Sequence, residues 1–371
     1  MSFIRSWFWR GGVCNALIFR KSDLPTDRSK WQQLFAAAIG SPDPFGRQLN
    51  GMGGGISSLS KICVVSPSTR DDADVDFEFI QVVIRDGALD LASNCGNMTA
   101  AIGPFALDLN LALPNKQLLT RSGHAKVRIY NINTKKIIVS TFPITGSPPR
   151  FLAQGGYRMD GVPGSGSKIG LSFLNPGGTQ TGKVLPTDHG ITTMVAVDKA
   201  GIRIKASLVD VANPGVYIDG RVCGISPDIL PAELDQQADL MELMETVRRE
   251  AAVRMKLDPD VASVPKIVAL FSPSAEEIDS GVHIKCIVLS MGQTHKAVPL
   301  TLALNLGVAC LLDGTLASQL SRNIASESTV TIKHPSGTID VGVDVSSGKV
   351  ASASIYSTAR LLMQGEVNVD K

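Results

Sequence analysis

Apolar positions recur along this chain in two rhythms. Some stretches alternate apolar and polar residues, the period of a strand with one buried face. Others return every three or four residues, the period of an amphipathic helix. Short runs rich in valine and isoleucine at residues 61–65 and 79–84 predict strands. Residues 126–130 and 137–142 predict two more, and Asn131-Ile132-Asn133-Thr134 between them predicts a hairpin connection. Ile202 to Val211 alternates, as do Ile339, Val341, Val343 and Val345, after which Ser346-Ser347-Gly348 predicts a turn. The helical rhythm appears from Ser29 to Ile39, where Trp31, Leu34, Phe35 and Ala38 share a face, Ser29 is the expected cap and Gly40 the stop. It returns from Leu234 to Met255, with Leu234, Ala238, Met241, Met244, Val247, Ala251 and Met255 on one side. Residues 155–170, punctuated by glycine and proline, predict an irregular connection.

Two further helices set the architecture. Met98 to Leu109 places Met98, Ala101, Ile102, Phe105 and Leu109 on a stripe, and Ala297 to Leu312 is apolar nearly all round. A helix apolar on every side is buried, and this one is too short to span a bilayer. Each follows a polar loop containing glycine, residues 93–97 and 290–296, and each carries an early proline, Pro104 and Pro299. Strand, polar loop and buried helix thus occur once per half. The pattern predicts an α+β protein of two similar domains, each a curled sheet around a central helix. The expected domains are 1–190, joined by about the last 15–20 residues, and 191–371. The two helix N-termini would face one cleft. Their unpaired N–H groups and partial positive charge suit the carboxylates of a small anion.

Composition narrows the function. Among 371 residues, 44% are hydrophobic and 19% charged, which excludes a disordered chain. The formal net charge of +2 and the lack of a Lys/Arg-rich block argue against nucleic acid. No apolar run reaches the roughly 18 residues of a membrane span, so no membrane partner is expected. Six scattered cysteines without a C-x-x-C pair fit neither a disulfide framework nor a zinc site. They fit buried thiols in a reducing compartment, and a cytoplasmic protein is expected. The basic start before Asp23 is similar to an organellar presequence, although cleavage there would cut close to the Arg10-Gly11-Gly12 turn. Oligomeric state is open, a homodimer included.

Candidate chemistry gathers in a few segments. Gly51-Met52-Gly53-Gly54-Gly55-Ile56-Ser57-Ser58-Leu59-Ser60-Lys61 combines glycines that allow close backbone approach, serine hydroxyls, and a lysine where an apolar strand begins. In general a buried lysine favours its neutral amine and can serve as a base; a solvated lysine on a surface loop is the equal alternative. Cys95, beside Asn94, Gly96 and Asn97, stands where a helix N-terminus stabilises a thiolate. Arg10-Gly11-Gly12 could bind a carboxylate or form a surface turn. In the second half, Thr179-Gln180-Thr181-Gly182-Lys183 and Gln293-Thr294-His295-Lys296 supply cations and hydroxyls. The five histidines are far apart, so no metal spacing exists. No P-loop, G-x-S-x-G elbow or dinucleotide fingerprint is present.

Several of these pieces, in order, resemble the PrpF family of 2-methylaconitate cis–trans isomerases and relatives acting on aconitate, methylitaconate and oxalomesaconate. They are Arg10-Gly11-Gly12, Ser41-Pro42-Asp43-Pro44, the Gly51-to-Lys61 loop with Val64-Val65-Ser66-Pro67-Ser68, Asp74-Val75-Asp76, Ser93-Asn94-Cys95-Gly96-Asn97-Met98 and Gly103-Pro104-Phe105-Ala106. The resemblance continues through Asp160-Gly161-Val162-Pro163-Gly164, Phe173-Leu174-Asn175-Pro176, Thr181-Gly182-Lys183, residues 209–214, Ser290-Met291-Gly292 and Thr358-Ala359-Arg360. It implies the diaminopimelate-epimerase-like fold, two similar domains each a β-barrel around a central helix, with the site between them. Epimerising relatives use two facing cysteines. Here Cys95 matches the first, but Met291-Gly292-Gln293 stands where the second would be. After Gly12 the family usually has Thr-Ser-Lys/Arg-Gly, whereas this chain has Val13-Cys14-Asn15-Ala16.

The resemblance implies Lys61 as acid/base with Cys95 nearby, and no redox cofactor or metal. Removing a proton beside an activated alkene gives an allylic anion, and reprotonation moves or isomerises the double bond. Arg10, Gly11 and Gly12, then Gly53, Gly54, Ser57 and Ser58, are the expected carboxylate-binding groups of the first segments. Asn94, Gly96, Asn97 and Met98 would flank Cys95, and Lys183, Met291, Gly292 and His295 would serve from the second half. The expected substrate is an aconitate-type tricarboxylate. The alternatives are an oxalomesaconate-type tautomerase and a carboxylate-binding accessory of an aconitase-like dehydratase.

Overall fold

The structure, a computed structural model, describes residues 2–92, 94–112, 122–188, 193–197, 202–322, 324, 329–346 and 349–370. Contacts divide the chain into two units, Met1–Ser172 with Tyr356–Lys371, and Phe173–Ile355. The expected boundary between residues 190 and 191 lies outside the described residues, as do Ser347 and Gly348 of the predicted turn.

In the first unit, β1 (Phe3–Gly11) and β2 (Cys14–Arg20) form a hairpin. Helix α1 (Trp31–Ile39) then crosses over to β3 (Lys61–Pro67), which runs parallel to β2. β4 (Val75–Val82) returns antiparallel to β3 and carries the short β5 (Leu89–Asp90). Helix α2 (Gly96–Asp108) follows, then the hairpin of β6 (His124–Asn131) and β7 (Lys136–Thr145), with β6 parallel to β4. β8 (Arg150–Phe151) pairs with β7, and β9 (Ile169–Leu174) ends this half.

The second unit repeats that order. β10 (Thr193–Val197), β11 (Ile202–Val211) and β12 (Asn213–Asp219) are antiparallel neighbours. Helices α3 (Pro231–Leu234) and α4 (Ala238–Arg254) cross over to β13 (Lys266–Phe271), parallel to β12. After α5 (Ala275–Asp279), β14 (Ile284–Ser290) returns antiparallel and forms a tight hairpin with β15 (Gln293–Thr294). Helix α6 (Leu300–Cys310) and the short α7 (Leu316–Leu320) follow. Then β16 (Thr329–His334) lies parallel to β14, with β17 (Gly337–Ser346) and β18 (Lys349–Ser357) beyond it. The last strand, β19 (Ala359–Asn368), belongs to the first unit and pairs with β1.

Each sheet is buried on two faces. In the first unit Leu17, Phe19, Ile62, Val64, Ile80 and Val82 meet Trp31, Leu34, Phe35, Ala38 and Ile39 of α1. The other face encloses α2, which packs on β1, β2, β3, β6, β7 and β19, strands from across the sheet. The sheet therefore curls around the helix. In the second unit Ile267, Ala269 and Phe271 face Met244, Val247 and Ala251 of α4, and α6 packs on β11, β12, β16 and β17.

Several expectations are corrected. Asp27, not Ser29, caps the first helical segment, accepting from Ser29 N–H at the head of a 3-10 turn over Arg28–Lys30. The long helix expected from Leu234 is broken at Asp235–Gln237, where Gln237 leaves helical geometry. The strand read at 79–84 begins earlier, at Val75. Helix α2 has no single apolar stripe, because every residue from Gly96 to Leu107 is buried. The two prolines are not equivalent: Pro104 lies inside α2, whereas Pro299 is the N-cap of α6.

The equivalence is carried by glycine instead. Gly103 lies seven residues after the start of α2 at Gly96, and Gly307 seven after the start of α6 at Leu300. A Cβ on Gly103 would sit 2.6 Å from Ser140 Oγ and 2.8 Å from Phe142 Cε1 of β7. One on Gly307 would sit 2.6 Å from Val341 Cγ1 of β17. In an exposed helix, Gly→Ala gains about 1 kcal/mol. Here the sign should reverse, with Gly307→Ala costing about 1–3 kcal/mol through overpacking. Urea unfolding reads this directly, and a more stable variant would show that the helix does not need that close approach.

Candidate active site

β3 alternates its faces. Ile62 and Val64 enter the core against α1, so Lys61 and Cys63 point to the face that encloses α2. Lys61 is only 7% exposed. Its Nζ donates to Gln81 Oε1 at 2.5 Å and lies 5.1 Å from the centroid of the Phe79 ring. Gln81 is its cross-strand partner on β4. The Gln81 amide is oriented by the main chain: its Nε2 donates to Ser60 O at 2.9 Å, which turns Oε1 toward the lysine.

Cys95 is the N-cap of α2, is buried, and makes no side-chain capping bond. No acidic residue occupies the first turn, so the positive end of the helix is not neutralised from within that turn. Interaction with the neighbouring Cys95 thiol, together with burial, pushes Cys14 well above the ordinary thiol range, while the nearby Lys61 charge opposes the shift. Burial also pushes Cys63 up, with Cys95 adding to it. Lys61, Cys14, Cys63 and Cys95 therefore form one electrostatically linked group at the N-terminus of α2.

The β1–β2 turn is pressed onto that terminus. Val13 N–H donates to Asn97 Oδ1 at 3.3 Å. A Cβ on Gly11 would lie 2.4 Å from Asn97 O, and one on Gly12, at φ +50°, 2.0 Å from Asn97 Oδ1. Close packing thus accounts for both glycines and gives Asn97 a clamping role. Arg10 Nη1 donates to Gly12 O at 2.9 Å and to Thr358 Oγ1 at 3.0 Å. Burial and then the charge of Arg360 hold Arg10 below the usual guanidinium value. Two cations at this corner suit an anion. Buried Asn94 accepts from Asn131 Nδ2 at 3.0 Å, which ties the loop before α2 to the β6–β7 connection.

The sequence model of the PrpF protein matches residues 1–370. The chain belongs to the PrpF family. It is 31% identical to 3-methylitaconate isomerase of Eubacterium barkeri, over 98% of this chain and 96% of that one. It is also 31% identical to 2-methyl-aconitate isomerase of Shewanella oneidensis, over 99% and 97% of the two chains. A crystal structure of methylitaconate-delta-isomerase superposes with a TM-score of 0.78 at 29% identity, covering 99% of this chain and 95% of that one. The fold is the diaminopimelate-epimerase-like one that the sequence pieces imply.

Some expected site residues of this PrpF protein have other local tasks. Met98 is fully buried in α2 and packs the core of its unit. Gly53 N–H is already given to Ile39 O at 3.0 Å, and Gly55 N–H to Gln48 Oε1 at 2.9 Å. The glycine loop is thus built around buried Gln48, with Gly54 exposed and Ser57 and Ser58 half-buried in a 3-10 turn. Of the carboxylate donors expected in this loop, the Gly53 N–H is spent on the loop's own structure, as is that of neighbouring Gly55. Gly96 opens α2 and is buried.

In the second unit, Lys183 is exposed and paired with Asp188 at 2.6 Å. Met291 and Gly292, at φ +55° and +69°, are the two corner residues of the β14–β15 hairpin. Positive φ at both central positions is the geometry of a type I′ turn. His295 is half-buried, and its N–H donates to Val288 O at 2.8 Å.

Two residues escaped the sequence reading. Gln81 carries no motif, and only strand register reveals it. Lys266 opens β13 as Lys61 opens β3. It is 8% exposed, and its Nζ donates to Ser263 O at 2.6 Å and Ser290 Oγ at 3.2 Å. Aligning the two halves on Gly103 and Gly307, rather than on the prolines, brings Lys61 to within one residue of it.

The Lys61–Gln81 bond is open to a double-mutant cycle. Gln81→Leu should cost about 1–3 kcal/mol, the range for leaving a buried hydrogen-bonding group unsatisfied. Most of that cost should vanish when the lysine is also replaced, in Lys61→Met/Gln81→Leu. Simple additivity of the two single variants in urea unfolding would deny the coupling.

Proposed function

We propose that this PrpF protein is an isomerase of an unsaturated tricarboxylate of the aconitate or 2-methylaconitate type, working by allylic proton transfer. The observation that carries the reading is Lys61, a buried amine held on Gln81 beside the thiol group at the N-terminus of α2. The names of the PrpF relatives support it.

The chemistry follows from the arrangement. The neutral amine of Lys61 takes a proton from the carbon beside the alkene, and the electron pair spreads over the allylic system. A conjugated carboxylate carries part of that charge. The positive end of α2 and the Arg10–Arg360 corner favour such an anion. Cys95 is the second proton carrier and delivers a proton to the other carbon. The Gln81 carbonyl keeps Lys61 aimed in both protonation states, because it accepts from amine and ammonium alike. Proton transfer of this kind uses side chains alone, so the reading includes no cofactor. Among the described residues, no group of three or more His, Cys, Asp or Glu could hold a metal ion, and no helix is long and apolar enough to cross a membrane. None of the six cysteines, all among the described residues, is in a disulfide, which supports a reducing compartment, the cytoplasm.

The test is proton NMR in deuterated buffer with cis-aconitate, trans-aconitate and 2-methylaconitate offered separately. At least one should isomerise with deuterium incorporation. The rate should fall by about 10²-fold or more in Lys61→Ala, with the melting curve retained. Absence of exchange with all three acids, or an unimpaired Lys61→Ala, would rule this reading out.

A further inference from the structure

Cys14 lies outside the mechanism just given, yet it is built into the same place. Leu17 and Phe19 of β2 enter the core against α1. By alternation Cys14, Ala16 and Ile18 share the face that encloses α2. Ala16 and Lys61 are partners in the parallel β2–β3 register, as are Ile18 and Cys63. Cys14 is buried, and Cys95 is its strongest electrostatic neighbour. Its position is fixed by backbone: Val13 N–H is held on Asn97, and Gly11 and Gly12 rest against the first turn of α2. The distance from Cys14 to Cys95 is therefore set by the fold.

The two thiols are not equivalent. Cys95 sits on the positive end of α2, whereas Cys14 begins a strand. Negative charge belongs on Cys95, and Cys14 keeps its proton and becomes the donor. We propose that Cys14 is a positioning residue for proton transfer: its S–H donates to the Cys95 sulfur and holds the thiolate that Cys95 becomes on giving up its proton. This rests on the role of Cys95 as second proton carrier. In the step concerned, the Cys95 S–H bond breaks and a C–H bond forms on the allylic anion. The S–H electron pair stays on sulfur, and the Lys61 ammonium later returns a proton to it. Cys14 retains its own proton throughout.

Thiolate absorbance near 240 nm tests this without any substrate. Burial pushes Cys63 up, Cys223 up to about 11, Cys286 up to about 12 and Cys310 higher still. The thiolate step at the lowest pH in the full chain should then belong to Cys95 and vanish in Cys95→Ala. Cys14→Ala should move its midpoint up by about one to two pH units. Cys14→Ser, whose hydroxyl can still donate, should bring it most of the way back. An unmoved midpoint, the absence of any step in the wild type, or a serine variant that behaves like alanine would overturn the proposal. With substrate, Cys14→Ala should lower kcat and leave KM unchanged. A shifted midpoint with unaltered kcat would leave the thiol pair standing but remove Cys95, and with it Cys14, from turnover. Loss of turnover in Lys61→Ala would still decide the isomerase reading separately.

Discussion

A helix with no polar side has one stable place, inside. Helices α2 and α6 are of this kind: every residue from Gly96 to Leu107 and from Leu300 to Cys310 is buried. Enclosing such a helix requires strands on several sides, and the order of pairing in each unit follows from that need. A hairpin, a helical crossover to a parallel strand, an antiparallel return and a second hairpin supply enough strands to curl around it. The outer face of each curled sheet is then left apolar and is covered by the crossover helix. Gly103 and Gly307 let the strands approach where a side chain would hold them away.

The same enclosure produces the chemistry of the first unit. A buried helix still has unpaired N–H groups in its first turn, and these cannot all be left to water. In α2 the β1–β2 turn closes over that end through Asn97, Gly11 and Gly12. What remains beside the terminus is a cluster of thiols and one amine on the inner face. Buried amines and thiols away from acceptors are costly, and here the cost is offset locally. Lys61 has Gln81, Gln81 has the main chain at Ser60, and Cys14 has Cys95. Polar groups arranged in this way are preorganised for a proton to move among them, whereas a solvated lysine on a mobile loop is not.

Much of this was legible in the sequence, because period and burial are local properties. The strands around 61–65 and 126–142, the strand Ile202 to Val211, the two buried helices, and the placing of Cys95 at a helix start all follow from residue order alone. Lys61 was legible as a lysine at the mouth of an apolar strand, although its burial was an even choice until the Ala16–Lys61–Gln81 register fixed its surroundings. Illegible features depend on pairing across the chain. Gln81 has no local signal. The glycine run near Gly53 looks like a ligand loop, but the N–H groups of Gly53 and Gly55 serve Ile39 and Gln48, which no spacing rule could show. Met98 belonged to a motif by proximity and to the core by geometry. Met291-Gly292 holds the corner of a hairpin, with a methionine in the left-handed region where glycine or asparagine is usual.

The repeat also shows where the two units part company. β3 and β13 each open with a buried lysine, held on Gln81 in one case and on Ser290 in the other. At the helix start the likeness ends: α2 is capped by Cys95 and α6 by Pro299, which has neither a proton to give nor a charge to hold. The strand position of Cys14 is taken in the second unit by Asn213, which donates to Thr301 inside α6 and passes its carbonyl to Asn305. That network is a structural tie, fully buried and joined to Tyr217 through Asn305. One architecture thus carries two different helix starts, one built from titratable sulfur and one from amides and a proline. A two-thiol reaction needs the sulfur start twice. A reaction whose two proton carriers are an amine and a thiol needs it once, and in this chain that start is in the first unit.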